Sequence, residues 1–422
     1  MKTEEIKLAG HVDTTVRVPG SKSLTQRALV VAALAEGKST LCNALISEDT
    51  RYLMEGLRVL GAGVLDSESE ITVIGTGGEI QNPGKTIFLG NNGTALRFLT
   101  TVVSLGRGQF TLDGENRLRE RPVGPLLDTL KTLGVTDISK DKKGYPPVTV
   151  ESVGLSGGNV VLTDVESSQF ISSLLIGASY ARGDVEIQLK GRTVSEPYID
   201  MTLKVMKDFG VNAAREGQSR FSVRCGQRYL GRPYFIEGDA SSASYFALAA
   251  ALCRGRVRIE NVNSRSFQGD IAFFDLIEAS GSSVIRDNPS SIEVVGGPLR
   301  GDTWTLDMGH MPDMVPTLAV LSAFRPGITV ITNVTHLRIK ESDRIASVVN
   351  ELNRIGVHAK ETDDGMVIEG GRPHGADIET YNDHRIAMSF AVAGLVVPGM
   401  RITNKDCVGK SFPGFWDELK KI

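Results

Sequence analysis

The sequence has few cysteines, little net charge and no long apolar run, and each shortage argues against a class of protein. Its four cysteines lie far apart, so they form no close pair of the kind that binds zinc, and they suit the core of a protein from a reducing compartment. A formal net charge of −3 gives no general attraction to nucleic acid. No apolar run is long enough to cross a bilayer, and the N-terminus lacks the apolar stretch of a signal peptide. We therefore predict a soluble cytoplasmic protein without nucleic-acid or membrane partners.

The common short catalytic motifs are absent as well. The sequence contains no GxxxxGK[ST] phosphate loop, no HExxH, no GxSxG and no CxxC pair. The function must therefore be inferred from residues that the fold brings together.

Glycine is abundant, at 46 residues, and six glycines mark a repeat. At six places an apolar helical pattern runs into a glycine and then into a short alternating strand pattern. Neighbouring members of this set are 71 to 75 residues apart: Gly37, Gly108, Gly183, Gly255, Gly327 and Gly399. Such a period is typical of a repeated structural unit. Each copy is predicted to contain strand, helix, strand, helix, strand and strand.

The two helices of a copy differ in their apolar pattern. The first helix is apolar on every side, which predicts burial, in residues 28–34, 96–105, 171–181, 245–252, 315–324 and 386–397. The second helix has one apolar face and is expected to end at a left-handed glycine, namely Gly63, Gly134, Gly210, Gly281 and Gly356. We predict an α/β fold in which three copies surround three buried helices with sheets, so that six copies form two bodies.

The chain must cross between the two predicted bodies, and two segments suit the crossings. Pro19-Gly20 is the first, and residues 234–238 are the return, because the fourth copy begins at Asp239. Domain one is thus predicted from residues 1–20 joined to 237–422, and domain two from residues 21–236. A cleft between domains is the default ligand site, and two thin connections permit hinge closure.

Basic residues lie at the starts of the buried helices. Ser, Asn and Asp at these places are ordinary N-caps, but a cation there opposes the helix dipole by about 0.3–1 kcal/mol. The cation becomes favourable when an anion lies over the helix end. Further basic residues precede the covering helices. Together they predict a site for a multiply charged anion, with Lys22, Arg27, Arg97, Arg121, Lys340, Arg344, Arg385 and Lys410 as its cations.

Two carboxylates, Asp313 and Glu341, lie among these cations. Acid–base catalysis needs a carboxylate whose pKa is set by such neighbours. A helix cap is the alternative for Asp313, and a surface ion pair is the alternative for Glu341. His384, beside Arg385, either titrates near neutrality or caps a helix.

Five segments with these residues resemble the signatures of the 5-enolpyruvylshikimate-3-phosphate synthase family: PGSKS at 19–23, LGNNGT at 89–94, RERP at 119–122, KESDR at 340–344 and NDHR at 382–385. The resemblance runs from about residue 5 to the C-terminus. It implies the two-domain enolpyruvyl transferase fold, with three βαβαββ repeats in each domain and a hinged cleft. It also implies a monomer that closes on its ligands and needs no metal or other cofactor. The implied reaction, in the shikimate pathway of aromatic amino acid biosynthesis, transfers the enolpyruvyl group of phosphoenolpyruvate to the 5-hydroxyl of shikimate 3-phosphate and releases phosphate.

The resemblance also assigns residues to each substrate. Those implied to hold phosphoenolpyruvate are Lys22, Gly93, Arg121, Gln169, Arg344, Arg385 and Lys410. Those implied to hold shikimate 3-phosphate are Lys22, Ser23, Arg27, Ser167, Ser168, Gln169, Ser195, Tyr198, Asp313 and Lys340. In catalysis, Asp313 is expected to take the hydroxyl proton, Glu341 and Lys22 to handle the carbon-bound proton, and His384 to orient or relay protons.

The chain departs from the family pattern at three positions. Asn92 stands where many members have alanine, and Phe98 stands where many have proline, both near the phosphoenolpyruvate residues. His336 stands where many members have asparagine, on the shikimate side.

Two alternatives remain open from the sequence. The sister transferase that acts on UDP-N-acetylglucosamine usually has Lys-Asn where this chain has Lys22-Ser23, and commonly a cysteine in the loop before Arg121, whereas residues 107–125 contain none. The other alternative is a non-catalytic anion-binding protein on the same fold. Loss of Lys22, Asp313, Glu341 or Lys410 would mark such a protein, and all four are present.

Overall fold

The computed structural model describes residues 2–139, 142–193 and 195–422. Its helices, in chain order, are α1 (Lys22–Leu34), α2 (Glu48–Val59), α3 (Gly93–Val103), α4 (Gly124–Thr132), α5 (Ser168–Ala178), α6 (Pro197–Asp208), α7 (Ala240–Cys253), α8 (Phe273–Ala279), α9 (Val315–Phe324), α10 (Arg344–Arg354), α11 (His384–Gly394) and α12 (Phe415–Leu419). Its strands are β1 (Glu4–Glu5), β2 (Asp13–Arg17), β3 (Lys38–Cys42), β4 (Gly63–Asp66), β5 (Glu70–Ile74), β6 (Ile87–Phe88), β7 (Arg107–Asp113), β8 (Thr136–Asp137), β9 (Val148–Val153), β10 (Gly158–Val165), β11 (Val185–Thr193), β12 (Ala213–Glu216), β13 (Arg220–Val223), β14 (Pro233–Phe235), β15 (Arg256–Glu260), β16 (Ser283–Asn288), β17 (Ser291–Val295), β18 (Trp304–Asp307), β19 (Ile328–Thr332), β20 (His358–Glu361), β21 (Met366–Glu369), β22 (Asp377–Ile378) and β23 (Arg401–Ile402).

The chain separates into two compact units, Met1–Gly20 with Glu237–Ile422 and Ser21–Ile236. In the unit Ser21–Ile236, the helices at the centre are α1, α3 and α5, and α3 packs against both of the others. In the other unit, α7, α9 and α11 pack against one another. The predicted burial of these first helices is confirmed, since the side chains of α7 from Ala240 to Ala251 are all buried. Within the described ranges, no helix combines the length and the apolar character needed to span a membrane.

Polar side chains begin most of the buried helices, as their sequence predicts. The N-cap side chains of α1, α3, α5, α7 and α11 each accept a hydrogen bond from a backbone N–H of the first turn, and they are Ser21, Asn92, Ser167, Asp239 and Asp383. Helix α9 begins differently. It follows a 3-10 turn, Pro312–Met314, and has no side-chain cap.

The end of α2 corrects one prediction. The left-handed glycine that follows this helix is Gly61, with φ +106°, and Gly63 instead begins β4. The helix ends at Val59, so the C′ position, where a left-handed residue stops a helix, is Gly61, two residues before the predicted Gly63.

The six copies do not correspond one to one with the six sheets that the described residues form. Copies two, three and five each form their own four-stranded sheet, with strand orders β6-β7-β9-β8, β10-β11-β13-β12 and β18-β19-β21-β20. Copies one and four exchange their first strands. Strand β2 pairs in parallel with β15, placing Thr14 opposite Val257, and β14 pairs in parallel with β3, placing Tyr234 opposite Leu41.

Copy six is also incomplete as a sheet. Its strands β22 and β23 are joined by β1, which pairs antiparallel to β23. The predicted order of strand, helix, strand, helix, strand and strand is therefore wrong for this copy, because copy six supplies two strands of this sheet and the N-terminal strand β1 supplies the third.

Candidate active site

In the unit Ser21–Ile236, hydrogen bonds tie together the starts of three helices. The Nζ atom of Lys22 lies 3.3 Å from Oδ2 of Asp49, a residue in the first turn of α2. The Nδ2 atom of Asn92 donates to Oε1 of Gln26 at 2.8 Å and to the carbonyl of Asp49 at 2.7 Å. Asp49 was not among the predicted residues, because an acidic residue after the cap Ser47 has an ordinary role at a helix start.

Arg27 lies in the interior of this unit, with 1% of its surface exposed. Its Nε donates to Oγ1 of Thr202 at 2.7 Å, and its Nη2 donates to the carbonyl of Tyr198 at 3.1 Å. The guanidinium also lies over the rings of Phe98 and Tyr198, at 5.5 and 5.7 Å from their centroids. Burial lowers the pKa of Arg27 to about 10, with Tyr198 acting in the opposite direction. Arg27 therefore stays charged at neutral pH and gives this region a buried positive charge.

Two more guanidiniums lie at the start of α3. Nη1 of Arg97 donates to the carbonyl of Gly93 at 3.2 Å and to Oε1 of Gln169 at 2.8 Å. A Cβ atom built on Gly93 would lie 2.5 Å from Cζ of Arg121 and 2.7 Å from Nη1 of Arg97. A side chain at position 93 would displace these guanidiniums, and the site combines a helix N-terminus with two cations, as an anion site requires.

The predicted serines Ser167, Ser168 and Ser195 lie at the starts of α5 and α6. Ser167 caps α5, and Ser168 follows it in the first turn with 4% of its surface exposed. Ser195 has a left-handed φ of +59°, and its carbonyl accepts from the N–H of Tyr198 at 3.1 Å. Nη1 of Arg27 donates to the carbonyl of Ser23 at 3.0 Å. The two starts thus place hydroxyl groups in the same unit as the cations.

In the other unit, three separated motifs meet at Arg344. Its Nε donates to Oδ2 of Asp383 at 2.8 Å, its Nη1 to Oδ1 of Asp313 at 2.8 Å, and its Nη2 to Oε2 of Glu341 at 2.7 Å. Nη2 of Arg385 donates to Oδ2 of Asp313 at 2.6 Å. Asp313 therefore binds two guanidiniums and does not cap α9. Glu341 is in an ion pair with Arg344, but the pair is not on the surface, because only 10% of the Glu341 side chain is exposed.

The charges in this cluster shift its pKa values. Burial by itself raises the pKa of Asp313, but Arg385, Arg344 and Lys340 outweigh burial and hold this pKa well below its usual range. Burial by itself lowers the pKa of Arg344, but Asp383, Glu341 and Asp313 outweigh it and raise this pKa. Asp313 is therefore ionised at neutral pH, and in this arrangement it is a weak base.

His336 and Lys340 belong to the same electrostatic neighbourhood. Burial, and secondarily the charge of Lys340, lowers the pKa of His336 to about 3, so the imidazole is neutral at pH 7. Nε2 of His336 is buried and has no hydrogen-bond partner in the described part of the chain.

Lys410 ends the 3-10 turn Lys405–Lys410, which packs against α11, and is 5% exposed. His384 is fully buried, with Nδ1 3.7 Å from Oδ1 of Asp383.

Two residues that were not predicted extend the cluster. Oγ of Ser241 donates to Oδ2 of Asp270, and Nη2 of Arg385 donates to the same Ser241 oxygen at 3.4 Å. Burial, and secondarily the charge of Asp313, raises the pKa of Asp270 to about 7. Asp270 lies in the 3-10 turn Gly269–Ala272, which leads directly into α8 and contains no basic residue, so the pattern of cations at helix starts did not mark it. Among the residues described, no group of three or more His, Cys, Asp or Glu side chains is arranged to hold a metal ion.

Comparisons with known proteins identify relatives of this chain. The sequence model for EPSP synthase (3-phosphoshikimate 1-carboxyvinyltransferase) matches residues 6–419. The 3-phosphoshikimate 1-carboxyvinyltransferase of Nostoc punctiforme is 44% identical over 99% of this chain and 98% of its own length, and that of Shewanella woodyi is 40% identical over the whole of both chains.

The solved structure of EPSP synthase from Acinetobacter baumannii superposes with a TM-score of 0.82, at 27% identity, over 99% of this chain and 97% of that one. This likeness confirms the predicted fold class. With an identity of 44% to a curated relative and a family match over nearly its full length, the chain belongs to the EPSP synthase (3-phosphoshikimate 1-carboxyvinyltransferase) family.

Proposed function

We propose that the helix-start residues of both units form the substrate site and that Asp313 and Glu341 carry the proton transfers. The observation that carries this proposal is the cluster at Arg344, where a buried guanidinium binds carboxylates from three separated motifs and a second guanidinium binds Asp313. An arrangement of several cations with ionised carboxylates is suited to anionic substrates that exchange protons.

The reaction itself follows from the family. The chain is an enzyme that transfers the enolpyruvyl group of phosphoenolpyruvate to the 5-hydroxyl of shikimate 3-phosphate and releases phosphate, a step of aromatic amino acid biosynthesis. Both substrates are small molecules, and each has a phosphate and a carboxylate. Together they have about six negative charges if each phosphate contributes about two.

The predicted cations match this charge. Seven of the eight, all but Arg97, are counted against the substrates: Lys22, Arg27, Arg121, Lys340, Arg344, Arg385 and Lys410. Arg344 and Arg385 already bind carboxylates of the protein, so a substrate anion that reaches them competes with Asp313 and Glu341. We infer that phosphoenolpyruvate takes over part of these bonds and that the pKa of Asp313 then rises from its depressed value. Substrate binding would thus convert Asp313 into a stronger base at the moment when one is needed.

The chemistry has two steps that balance. First, the oxygen of the 5-hydroxyl bonds to C2 of phosphoenolpyruvate, its proton passes to Asp313, and a proton from Glu341 or Lys22 goes to the methylene carbon. The product is a tetrahedral phospho-ketal. Next, the C2–O bond to phosphate breaks, the proton held by Asp313 passes to the leaving phosphate, and a methyl proton returns to Glu341 or Lys22. His384, whose Nδ1 lies 3.7 Å from Oδ1 of Asp383, orients the groups around it or relays protons.

The remaining residues are proposed to bind and orient. Gly93, Arg121 and Gln169 hold phosphoenolpyruvate against the start of α3, together with Lys22 and Lys410. Shikimate 3-phosphate is held by Lys22, Ser23, Arg27, Ser167, Ser168, Gln169, Ser195, Tyr198, Asp313 and Lys340. Residues of both units are proposed to bind these substrates, and the chain is proposed to act as a monomer in the cytoplasm.

The first test of these roles is Glu341→Gln, which keeps the shape of the side chain and removes its charge. We expect turnover to fall by about 100-fold to 10,000-fold, as for a lost general acid–base group, while the dissociation constant of phosphoenolpyruvate changes by less than about threefold. Phosphate release and calorimetric titration measure the two quantities.

Glu361→Gln is the matched control, because Glu361 also binds an arginine at 2.7 Å, Arg338, in the same unit. This control should keep full turnover. An equal loss of binding and turnover in Glu341→Gln would mean that Glu341 is structural. Phosphate release with UDP-N-acetylglucosamine in place of shikimate 3-phosphate would contradict the assigned acceptor.

A further inference from the structure

The backbone between β22 and α11 contains two consecutive left-handed residues, neither of which is glycine. Tyr381 has φ +52° and Asn382 has φ +55°, and the N–H of Asp383 donates to the carbonyl of Thr380 at 2.8 Å. Asparagine tolerates this conformation, but tyrosine does so poorly. Unfavourable backbone geometry persists only when the surrounding contacts enforce it, and it is concentrated at functional sites.

Contacts from α10 enforce this turn. Glu351 is fully buried, and its Oε1 accepts from the hydroxyl of Tyr381 at 2.9 Å while its Oε2 accepts from the N–H of Glu379 at 3.1 Å. Oε2 also lies 2.9 Å from Nε of Arg354. The buried carboxylate thus binds the turn and the residue that leads into it.

The same helix binds the other end of this segment. Glu351 lies seven residues, about two helical turns, after Arg344, whose Nε binds Asp383. Asp383 in turn accepts from the N–H of Arg385 at 3.0 Å and so caps α11. The carboxylate of Asp383 therefore binds both the guanidinium of Arg344 and the backbone N–H of Arg385, and Asp383 directly follows the turn.

We propose that Tyr381 and Glu351 are positioning residues: their hydrogen bond holds the left-handed turn, which places Asp383 and, through it, the guanidinium of Arg344 and the backbone of Arg385 at the start of α11 for the phosphoenolpyruvate anion. This inference rests on the proposed function for the identity of the anion. Neither residue touches substrate in this scheme. Their effect is on substrate affinity, because a small shift of a positioning group is costly to a multiply bonded ligand.

The test begins with Tyr381→Phe, which keeps the ring and removes the hydroxyl. The KM for phosphoenolpyruvate should rise about tenfold, as expected when a hydrogen bond to a charged group is lost, while the KM for shikimate 3-phosphate stays within about twofold. Glu351→Gln should also raise the KM for phosphoenolpyruvate. The double variant should be no worse than the more affected single variant, because both changes remove one shared interaction.

Two further variants separate positioning from general stability. Asn382→Gly in the Tyr381→Phe background should recover at least half of the lost affinity, since glycine adopts the left-handed region without strain. Tyr180→Phe is the matched control, because the Tyr180 hydroxyl donates to the carbonyl of Leu34 in the other unit. It should lower the melting temperature and leave both KM values unchanged.

Calorimetric titration of phosphoenolpyruvate gives the same comparison without turnover, so an inactive wild-type chain would contradict the proposed function and still leave this inference testable. An affinity for phosphoenolpyruvate that is unchanged in both Tyr381→Phe and Glu351→Gln would overturn it. So would an Asn382→Gly substitution that recovers nothing.

Discussion

Replacing Asp313 by asparagine separates its structural role from its catalytic one. The substitution keeps the shape of the side chain but removes the charge that binds Arg344 at 2.8 Å and Arg385 at 2.6 Å. A hydrogen bond between charged groups contributes about 1.5–3 kcal/mol, and the asparagine oxygen can keep one of the two bonds in weaker form. We therefore expect the free energy of unfolding to fall by about 2–3 kcal/mol.

The change should be visible in thermal unfolding. A loss of 1 kcal/mol lowers the melting temperature by about 2–4 °C for a unit of about 200 residues, so Asp313→Asn should melt about 4–12 °C below the wild type. Turnover should fall by about 100-fold to 10,000-fold, the usual contribution of a general base. Differential scanning calorimetry and phosphate release measure the two effects on the same sample.

The stability effect has a defined pH dependence. The pKa of aspartate in an unfolded chain is about 3.9, and the folded pKa of Asp313 lies below it. A group with a depressed folded pKa stabilises the protein fully above its unfolded pKa, and this contribution is lost as the pH falls through the folded pKa. The difference in stability between wild type and Asp313→Asn should thus shrink below about pH 4, and it should also decrease as the pH rises through 7, where Asp270 ionises and its charge repels that of Asp313.

Asp302→Asn provides the matched control. Asp302 also binds a buried arginine, Arg325, at 2.6 Å, and lies outside the cluster. This variant should lose stability and keep its turnover. If Asp313→Asn behaves like this control, with lower stability and normal turnover, Asp313 is a structural ion-pair partner and the proposed proton transfer is wrong. If it is as stable as the wild type at pH 7, the pairing with two arginines contributes nothing and the electrostatic argument is refuted.

Two other substitutions test the start of α3. Gly93→Ala should raise the KM for phosphoenolpyruvate at least tenfold, because the new methyl group would displace the guanidinium of Arg121. Gly10→Ala is the control: no atom lies within 4 Å of the added carbon, so this variant should behave as wild type in steady-state kinetics. Asn92→Ala should lower the free energy of unfolding by about 2–4 kcal/mol, since it removes a helix cap and leaves buried partners such as Gln26 unsatisfied. Urea unfolding of Asn92→Ser, which can keep the cap alone, should give an intermediate value, and an Ala variant as stable as the Ser variant would contradict this account.

Much of the fold could be predicted because its signals are local. The alternation of residues in β19 and the uniform apolarity of α7 and α9 determine which faces are buried, and these patterns need no knowledge of distant contacts. N-caps such as Ser21 and Asp239 could also be predicted from local sequence, because the side chain of a cap bonds within the first turn of its own helix.

The exchange of strands could not be predicted in this way. Strand β2 belongs in sequence to copy one but completes the sheet of copy four, and β14 does the reverse. The repeat makes the two strands near equivalents, so nothing local decides which sheet each one joins. That choice depends on where the chain crosses between the units, which is a property of the whole topology.

The site shows the same division. The sequence alone determined that cations gather at helix starts and that Asp313 and Glu341 lie among them, because residue type and helical position are local facts. Only the tertiary structure decided that Asp313 binds Arg344 and Arg385 and does not cap α9, and that Asp270 and Glu351 join the network. The physical reason is range: helix formation and capping are settled within a few residues, whereas the partner of a buried charge is chosen by packing elements that are far apart in the chain.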